Sequence, residues 1–205
     1  MKKIFVILLV IQISKNHSIA QSVYAHAKIQ VLQHQYPKIL GQGLEIGGSL
    51  KSKNQHFKIS LAYYNYISKG ALTSAKVVNN NFAIATYNHT RSEEGLKLGF
   101  GYRFNMSEKW KIETDLSLLK ANIEIISQDK YFPIKSGGQT QNIPFPAYYA
   151  YRDYLGQADV SVVRLLKKNH EILFNVFYAQ SPWNPSLSRN CGGSLGINLN
   201  IFNIK

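Results

Sequence analysis

The chain of 205 residues has a single cysteine, Cys191. One thiol excludes an internal disulfide framework. No histidine stands near it in sequence, so it reads as a strand or loop residue rather than a nucleophile. Acidic residues are scarce, 11 against 24 lysines and arginines, for a formal charge of +13. The basic residues are scattered rather than gathered into one patch, so nucleic-acid binding is not expected, and lipid phosphates are the more natural counter-charge. Long apolar runs are lacking as well. Beyond residue 20 nothing approaches 18 consecutive apolar residues, which excludes a helical span there. His26, His34, His56, His89 and His170 show no ligand spacing of the H-x-x-x-H type, so neither a metal nor a cofactor is expected.

The N-terminus has the form of an export signal. Lys2 and Lys3 precede an apolar run, Ile4 to Ile13, broken only by Gln12. Ser18-Ile19-Ala20 offers the small residues that a signal peptidase needs, which predicts residues 1–20 as a cleaved signal and 21–205 as one domain. The apolar run falls well short of the roughly 20 residues of a spanning helix.

What the chain does have is alternation. Leu96, Leu98, Phe100, Tyr102 and Phe104 alternate with Lys97, Gly99, Gly101 and Arg103. After a short turn at 105–109, Trp110, Ile112, Thr114, Leu116 and Leu118 alternate with Lys111, Glu113, Asp115 and Ser117. Period-two patterning on both arms predicts an amphipathic β-hairpin. A phase change near Leu119-Lys120 predicts a bulge. Similar patterns at 22–34, 40–51, 56–67, 153–166, 171–180 and 191–202 bring the count to eight strands. Short turns at 52–55, 105–109 and 167–170 fall on one end of an eight-strand meander. Long connections at 68–90 and 127–152 fall on the other, as in outer-membrane barrels. The expected fold is all-β, a single antiparallel up-and-down transmembrane β-barrel of eight strands.

Alternation alone does not say which face is inside. Gly41, Gly43, Gly47, Gly99, Gly101 and Gly196 all lie on the polar face, where small residues relieve crowding in a narrow barrel. Aromatic residues gather near strand ends: Tyr63, Tyr64 and Tyr66; Tyr102, Phe104 and Trp110; Tyr148, Tyr149, Tyr151 and Tyr154; Tyr178 and Trp183. Rings at headgroup level form girdles. Both features place the apolar face against lipid. Ser194-x-Gly196-x-x-Leu199-x-Ile201 resembles the C-terminal signal by which bacterial outer-membrane barrels are handed to their assembly machinery. Over residues 21–205 the chain resembles the small outer-membrane barrels of the OmpA and OmpX kind, in the OmpX arrangement, with no peptidoglycan-binding domain after the barrel. That resemblance implies a Gram-negative outer membrane, with outer-membrane lipids and the barrel-assembly machinery as partners.

The candidate site is the polar face. Glu45, Glu113, Asp115, Asp159 and Glu171 with Lys58, Lys97, Arg103 and Lys111 are expected to form a lumenal charge network, because buried charges must be paired. An ion or proton path is the alternative use of such residues. The long connection offers Phe145, Tyr148, Tyr149, Tyr151 and Arg152 as a binding surface for an extracellular protein or glycan. The function expected is a structural or surface-interaction role without catalysis. A lipid A-modifying hydrolase is the enzymatic alternative, resting on His89, Ser92 and Glu93. The lipid A deacylases carry His-x-Ser, whereas His-x-x-Ser puts His89 and Ser92 on opposite faces of a regular strand. An accessory barrel of a secretion or conjugation apparatus is a third reading.

Overall fold

A computed structural model describes residues 20–35, 38–52, 56–78, 81–127, 131–136, 139–144, 148–167, 170–183 and 189–203. The expected signal cleavage, Phe145 and part of each turn lie outside the described residues. The strands are β1 (Ala20–Gln35), β2 (Lys38–Ser52), β3 (Phe57–Val78), β4 (Asn81–Asn105), β5 (Trp110–Ser127), β6 (Tyr131–Ser136), β7 (Gln139–Pro144), β8 (Tyr148–Leu165), β9 (Glu171–Gln180) and β10 (Arg189–Asn203). Eight of them close a barrel in the order β1-β10-β9-β8-β5-β4-β3-β2, every pair antiparallel. Closure pairs β1 with β10, so no strand of the wall is left as a terminal edge strand. The remaining two, β6 and β7, form a hairpin of their own, and β6 lies against β4.

The short turns lie together at one end, with the start of β1 and the end of β10. Between β4 and β5 the N–H groups of Met106 and Ser107 donate to the Trp110 carbonyl at 3.1 and 3.0 Å, and the Trp110 N–H donates to Ser107 Oγ at 3.1 Å. Between β2 and β3 the Phe57 N–H donates to Ser52 Oγ at 3.1 Å.

At the far end the structure departs from the expected long loops. Residues 68–78 and 81–90 are paired, from Ser68↔Arg91 to Val78↔Asn81, as an extension of β3 and β4 beyond the barrel wall. Backbone pairing persists here without a regular apolar alternation in the sequence to announce it, because ladder hydrogen bonds are made by the main chain whatever the side-chain pattern. The connection 127–152 shrinks in the same way. It contains the β6–β7 hairpin, and β8 begins at Tyr148, so Tyr148, Tyr149, Tyr151 and Arg152 are strand residues opposite β5.

Large apolar side chains point outward. Leu96, Leu98, Phe100, Tyr102 and Phe104 on β4 are exposed, as are Leu116 and Leu118 on β5 and Leu195, Ile197, Leu199 and Ile201 on β10. Leu96 to Phe104 covers about 26 Å along the strand at ~3.3 Å per residue. With barrel tilt this matches the roughly 25 Å apolar band of a membrane barrel. Trp110, Phe104, Phe57 and Tyr102 mark its lower edge, and Tyr154 and Tyr178 its upper edge. Tyr64 and Tyr66 do not belong to that girdle. They point into the lumen, 0% and 3% exposed, with ring centroids 5.0 Å apart.

The bulge expected at Leu119-Lys120 is absent. The β4–β5 and β5–β8 registers run through it without a shift. Leu119, Ala121 and Ile123 simply occupy the inward positions, while Lys120, Asn122 and Glu124 face out. With Leu32, Tyr64, Tyr66, Leu155, Phe177 and Ala179 they form one apolar layer across the barrel interior.

Candidate functional site

Below the apolar layer the lumen is filled by ion pairs. At the end bearing the short turns, Arg103 and Glu113 are directly opposed across β4 and β5. The Arg103 guanidinium donates to Glu113 Oε2 through Nε at 3.0 Å and Nη2 at 2.6 Å. Its Nη1 and Nη2 also reach Glu171, the first residue of β9, at 2.7 and 3.0 Å. Glu171 accepts further bonds from Lys51 Nζ at 2.5 Å and Asn198 Nδ2 at 2.7 Å. The Lys51 ammonium also lies 3.9 Å from the centre of the Tyr24 ring. Lys58 bonds Glu113 and, at 2.6 Å, Asp115. A Cβ at Gly101 would lie 1.9 Å from Asp115 Oδ1, so any larger residue there displaces this carboxylate.

A second cluster sits higher. Glu45 receives His26 at 3.2 Å, Lys28 at 2.9 Å, Lys97 at 3.4 Å and Gln30 at 3.0 Å. Lys97 also bonds Asp159 at 3.2 Å, which accepts from Gln157 and Asn175 at 2.8 and 3.1 Å. The cations Lys28, Lys51, Lys58, Lys97 and Arg103 thus face the carboxylates Glu45, Glu113, Asp115, Asp159 and Glu171, all of them at most 9% exposed. Removing so many charges from water is tolerable only because charge is balanced and lone pairs are used. A cavity of about 10 Å³ among Ser49, Asp115 and Ser117 has room for about one water molecule.

Above the apolar layer a polar cluster closes the mouth. His34 Nδ1 and Asn190 Oδ1 are 2.5 Å apart, and Arg91 and Asn190 reach Glu93 Oε2 at 3.3 and 3.4 Å. Asp153 accepts from Ser181 at 2.9 Å.

Of the residues expected in the network, Glu45, Lys58, Lys97, Arg103, Glu113, Asp115, Asp159 and Glu171 come together. Lys111 is partly buried at the rim, on the same side of β5 as Glu113. Sequence reasoning missed Lys28, Lys51 and His26 as members, although the alternation of β1 and β2 carries them. Five acids against four expected cations left the network one cation short, and that count was the available signal; the second vacancy arises because Lys111 sits at the rim. His89 and Glu93 are buried in the mouth cluster, but Ser92 lies on the opposite face of a β4 that carries no bulge. The hydrolase pairing of His89 with Ser92 is therefore not assembled. Gly196 faces the lumen, where a Cβ would lie 2.6 Å from Lys28 Cγ, while Leu199 and Ile201 face outward. Ser194 is partly exposed.

A closed eight-strand barrel with an apolar outer belt and an ion-paired interior is the architecture of the small outer-membrane barrel proteins. The comparison with solved structures agrees. Neisserial surface protein A is similar over 87% of this chain and 96% of its own, with a TM-score of 0.55 and 11% identity. Ail, the attachment invasion locus protein of Yersinia pestis, covers 89% of this chain and 99% of its own in complex with the heparin analogue sucrose octasulfate, with a TM-score of 0.47 and 9% identity. Only the first superposes closely enough to bear on the fold. No protein-family model and no curated protein matches the sequence.

Proposed function

We propose that this chain is an outer-membrane barrel with a structural or surface-interaction role, exported through its N-terminal signal and inserted by the barrel-assembly machinery. The supporting observation is the reversal of the usual core. Charged residues are sealed and paired inside, while Leu, Ile, Val and aromatic side chains stand exposed in one belt. In water that belt would be a large adhesive patch. In a bilayer it is the natural outer wall. The lumen is blocked by the apolar layer and by the ion pairs below it, so the barrel serves as a platform rather than a pore. The β3–β4 extension and the β6–β7 hairpin then stand on the extracellular side, available to a protein or glycan. The fold likeness to a protein named as a Neisserial surface protein fits that orientation.

The test is fractionation and gel migration. The protein should sediment with outer membranes and migrate differently before and after boiling. A cysteine introduced near residue 79 should react with an impermeant maleimide on intact cells. Recovery in the soluble periplasmic fraction would overturn the proposal.

A further inference from the structure

The buried charges of the barrel balance in the lower lumen but not at the mouth. Among the described residues six buried lysines and arginines stand against seven buried aspartates and glutamates. Five of each make up the lumenal network, so the excess lies above the apolar layer, where Arg91 stands against both Glu93 and Asp153. The histidines there add no charge at neutral pH. Burial and the nearby Arg91 hold the His34 imidazole down to about 3 and push His89 down as well.

Three oxygen atoms at this level have no hydrogen-bond partner. Glu93 accepts from Arg91 and Asn190 at Oε2 and leaves Oε1 without a donor. Asp153 accepts from Ser181 and the Tyr154 N–H at Oδ1 and leaves Oδ2 without one. The Tyr64 hydroxyl is the third. All three side chains are at most 3% exposed. Register brings them to one level. Tyr64, Gly95, Ala121 and Asp153 are successive partners in one row across β3, β4, β5 and β8. A Cβ at Gly95 would lie 3.1 Å from the Tyr64 hydroxyl, so the phenol lies across Gly95 on the way to Asp153. Glu93 is the next inward residue on β4. Tyr64 feels the charges of Glu93 and Asp153, and Glu93 feels that of Asp153.

We propose that a monovalent cation of sodium's size is held in the mouth by Glu93 Oε1, Asp153 Oδ2 and the Tyr64 hydroxyl. The hydroxyl is a donor and reaches neither carboxylate, so direct hydrogen bonds do not close the cluster. A shared proton would cancel the excess charge but leave Tyr64 unbonded. A water molecule would serve the oxygens but leave the charge. A cation does both, since hard cations take oxygen ligands at roughly 2.3–2.6 Å and bridge atoms that do not touch. A divalent ion would overshoot the single excess charge. Among the described residues no three His, Cys, Asp or Glu side chains gather as such an ion needs. The bound ion would tie β3, β4 and β8 together above the membrane boundary, whatever the barrel binds at its surface.

The test is urea unfolding of the full-length protein in detergent. Sodium chloride is exchanged for tetramethylammonium chloride at fixed ionic strength and neutral pH, up to about 1 M sodium. Tetramethylammonium carries the same charge but is too large to sit among three buried oxygens. The folded-to-unfolded ratio of the wild type should rise about tenfold for each tenfold rise in sodium above the dissociation constant, the slope of one bound ion. Asp153→Asn keeps an acceptor for Ser181 and leaves Arg91 against Glu93, so it should lose the sodium dependence. In tetramethylammonium it should be at least as stable as the wild type. Glu93→Gln should lose the dependence too, whereas Gly156→Ala, on the outer face of β8, should keep the wild-type slope. A wild type indifferent to sodium, or a slope that survives in both carboxylate variants, overturns the site. Indifference to sodium joined to a loss of stability as pH rises overturns it in favour of a proton.

Discussion

Replacing Glu171 by Gln changes one charge and almost no volume. Its carboxylate takes two bonds from Arg103, one from Lys51 and one from Asn198, at 2.5 to 3.0 Å. Around it Lys51, Lys58 and Arg103 balance Glu113, Asp115 and Glu171. In Glu171→Gln three buried cations face two carboxylates, and the new amide presents N–H groups to donors. Lys51 is 0% exposed and cannot turn to water without opening the strand end. The expected loss is about 3–5 kcal/mol, the cost of breaking a buried pair by removing one partner. Lys51→Met alone should cost less, because Arg103 still covers Glu171. The double variant restores two cations against two carboxylates, so about 2–3 kcal/mol of the summed loss should return.

The assay is reversible urea unfolding in detergent or lipid, followed through the fluorescence of Trp110, which sits on the outer surface. A Glu171→Gln loss under about 1 kcal/mol, or single losses that merely add in the double variant, would refute the network as a clamp on the barrel end. The cycle also separates charge balance from packing. A packing defect adds in the double variant, whereas an unpaired charge does not.

Other substitutions test other parts of the wall. Leu116→Arg, at a position 70% exposed in the belt, should cost about 2–4 kcal/mol of folding into a bilayer, yet would be harmless on a soluble barrel. Gly95→Ala puts a Cβ 1.8 Å from the Lys120 carbonyl oxygen and should abolish the heat-modifiable form. Gly156→Ala meets nothing within 4 Å and should stay within about 0.5 kcal/mol of the wild type in urea unfolding. His89→Ala and Ser92→Ala should leave the lipid A profile of producing cells unchanged, read by mass spectrometry, because the two side chains face opposite sides of β4.

How legible was this in the sequence? The β4–β5 hairpin was readable almost whole, down to Lys97, Arg103, Glu113 and Asp115 on one face. The reason is local, since every residue of the two arms, Leu96 to Phe104 and Trp110 to Leu118, faces either the apolar outer belt or the polar interior. The ring of partners was not readable, because curvature decides it. Lys51 ends the expected 40–51 strand on the same face as Glu45, but only closure brings it to Glu171, 120 residues later. Alternation assigns a face to each residue, but it does not say which strands meet across the lumen.

The misread phase at Leu119 carries the more general lesson. A rule that apolar means outward holds only while lipid surrounds the barrel. On β5 it holds at Leu118, which is 58% exposed, and reverses at Leu119, which is 1% exposed. The same reversal separates Val31 from Leu32 on β1 and Tyr154 from Leu155 on β8. No bulge is needed, because the backbone keeps its period while the solvent outside changes from hydrocarbon to water. Above that line the cheapest arrangement is that of a soluble barrel, with Leu119, Ala121 and Ile123 inside and Lys120, Asn122 and Glu124 outside. What looks like a slip in strand register is therefore a mark of the membrane boundary. The apolar layer inside the barrel follows from it, since a wall that outlasts the bilayer must put its apolar residues somewhere, and the only dry place left is the lumen.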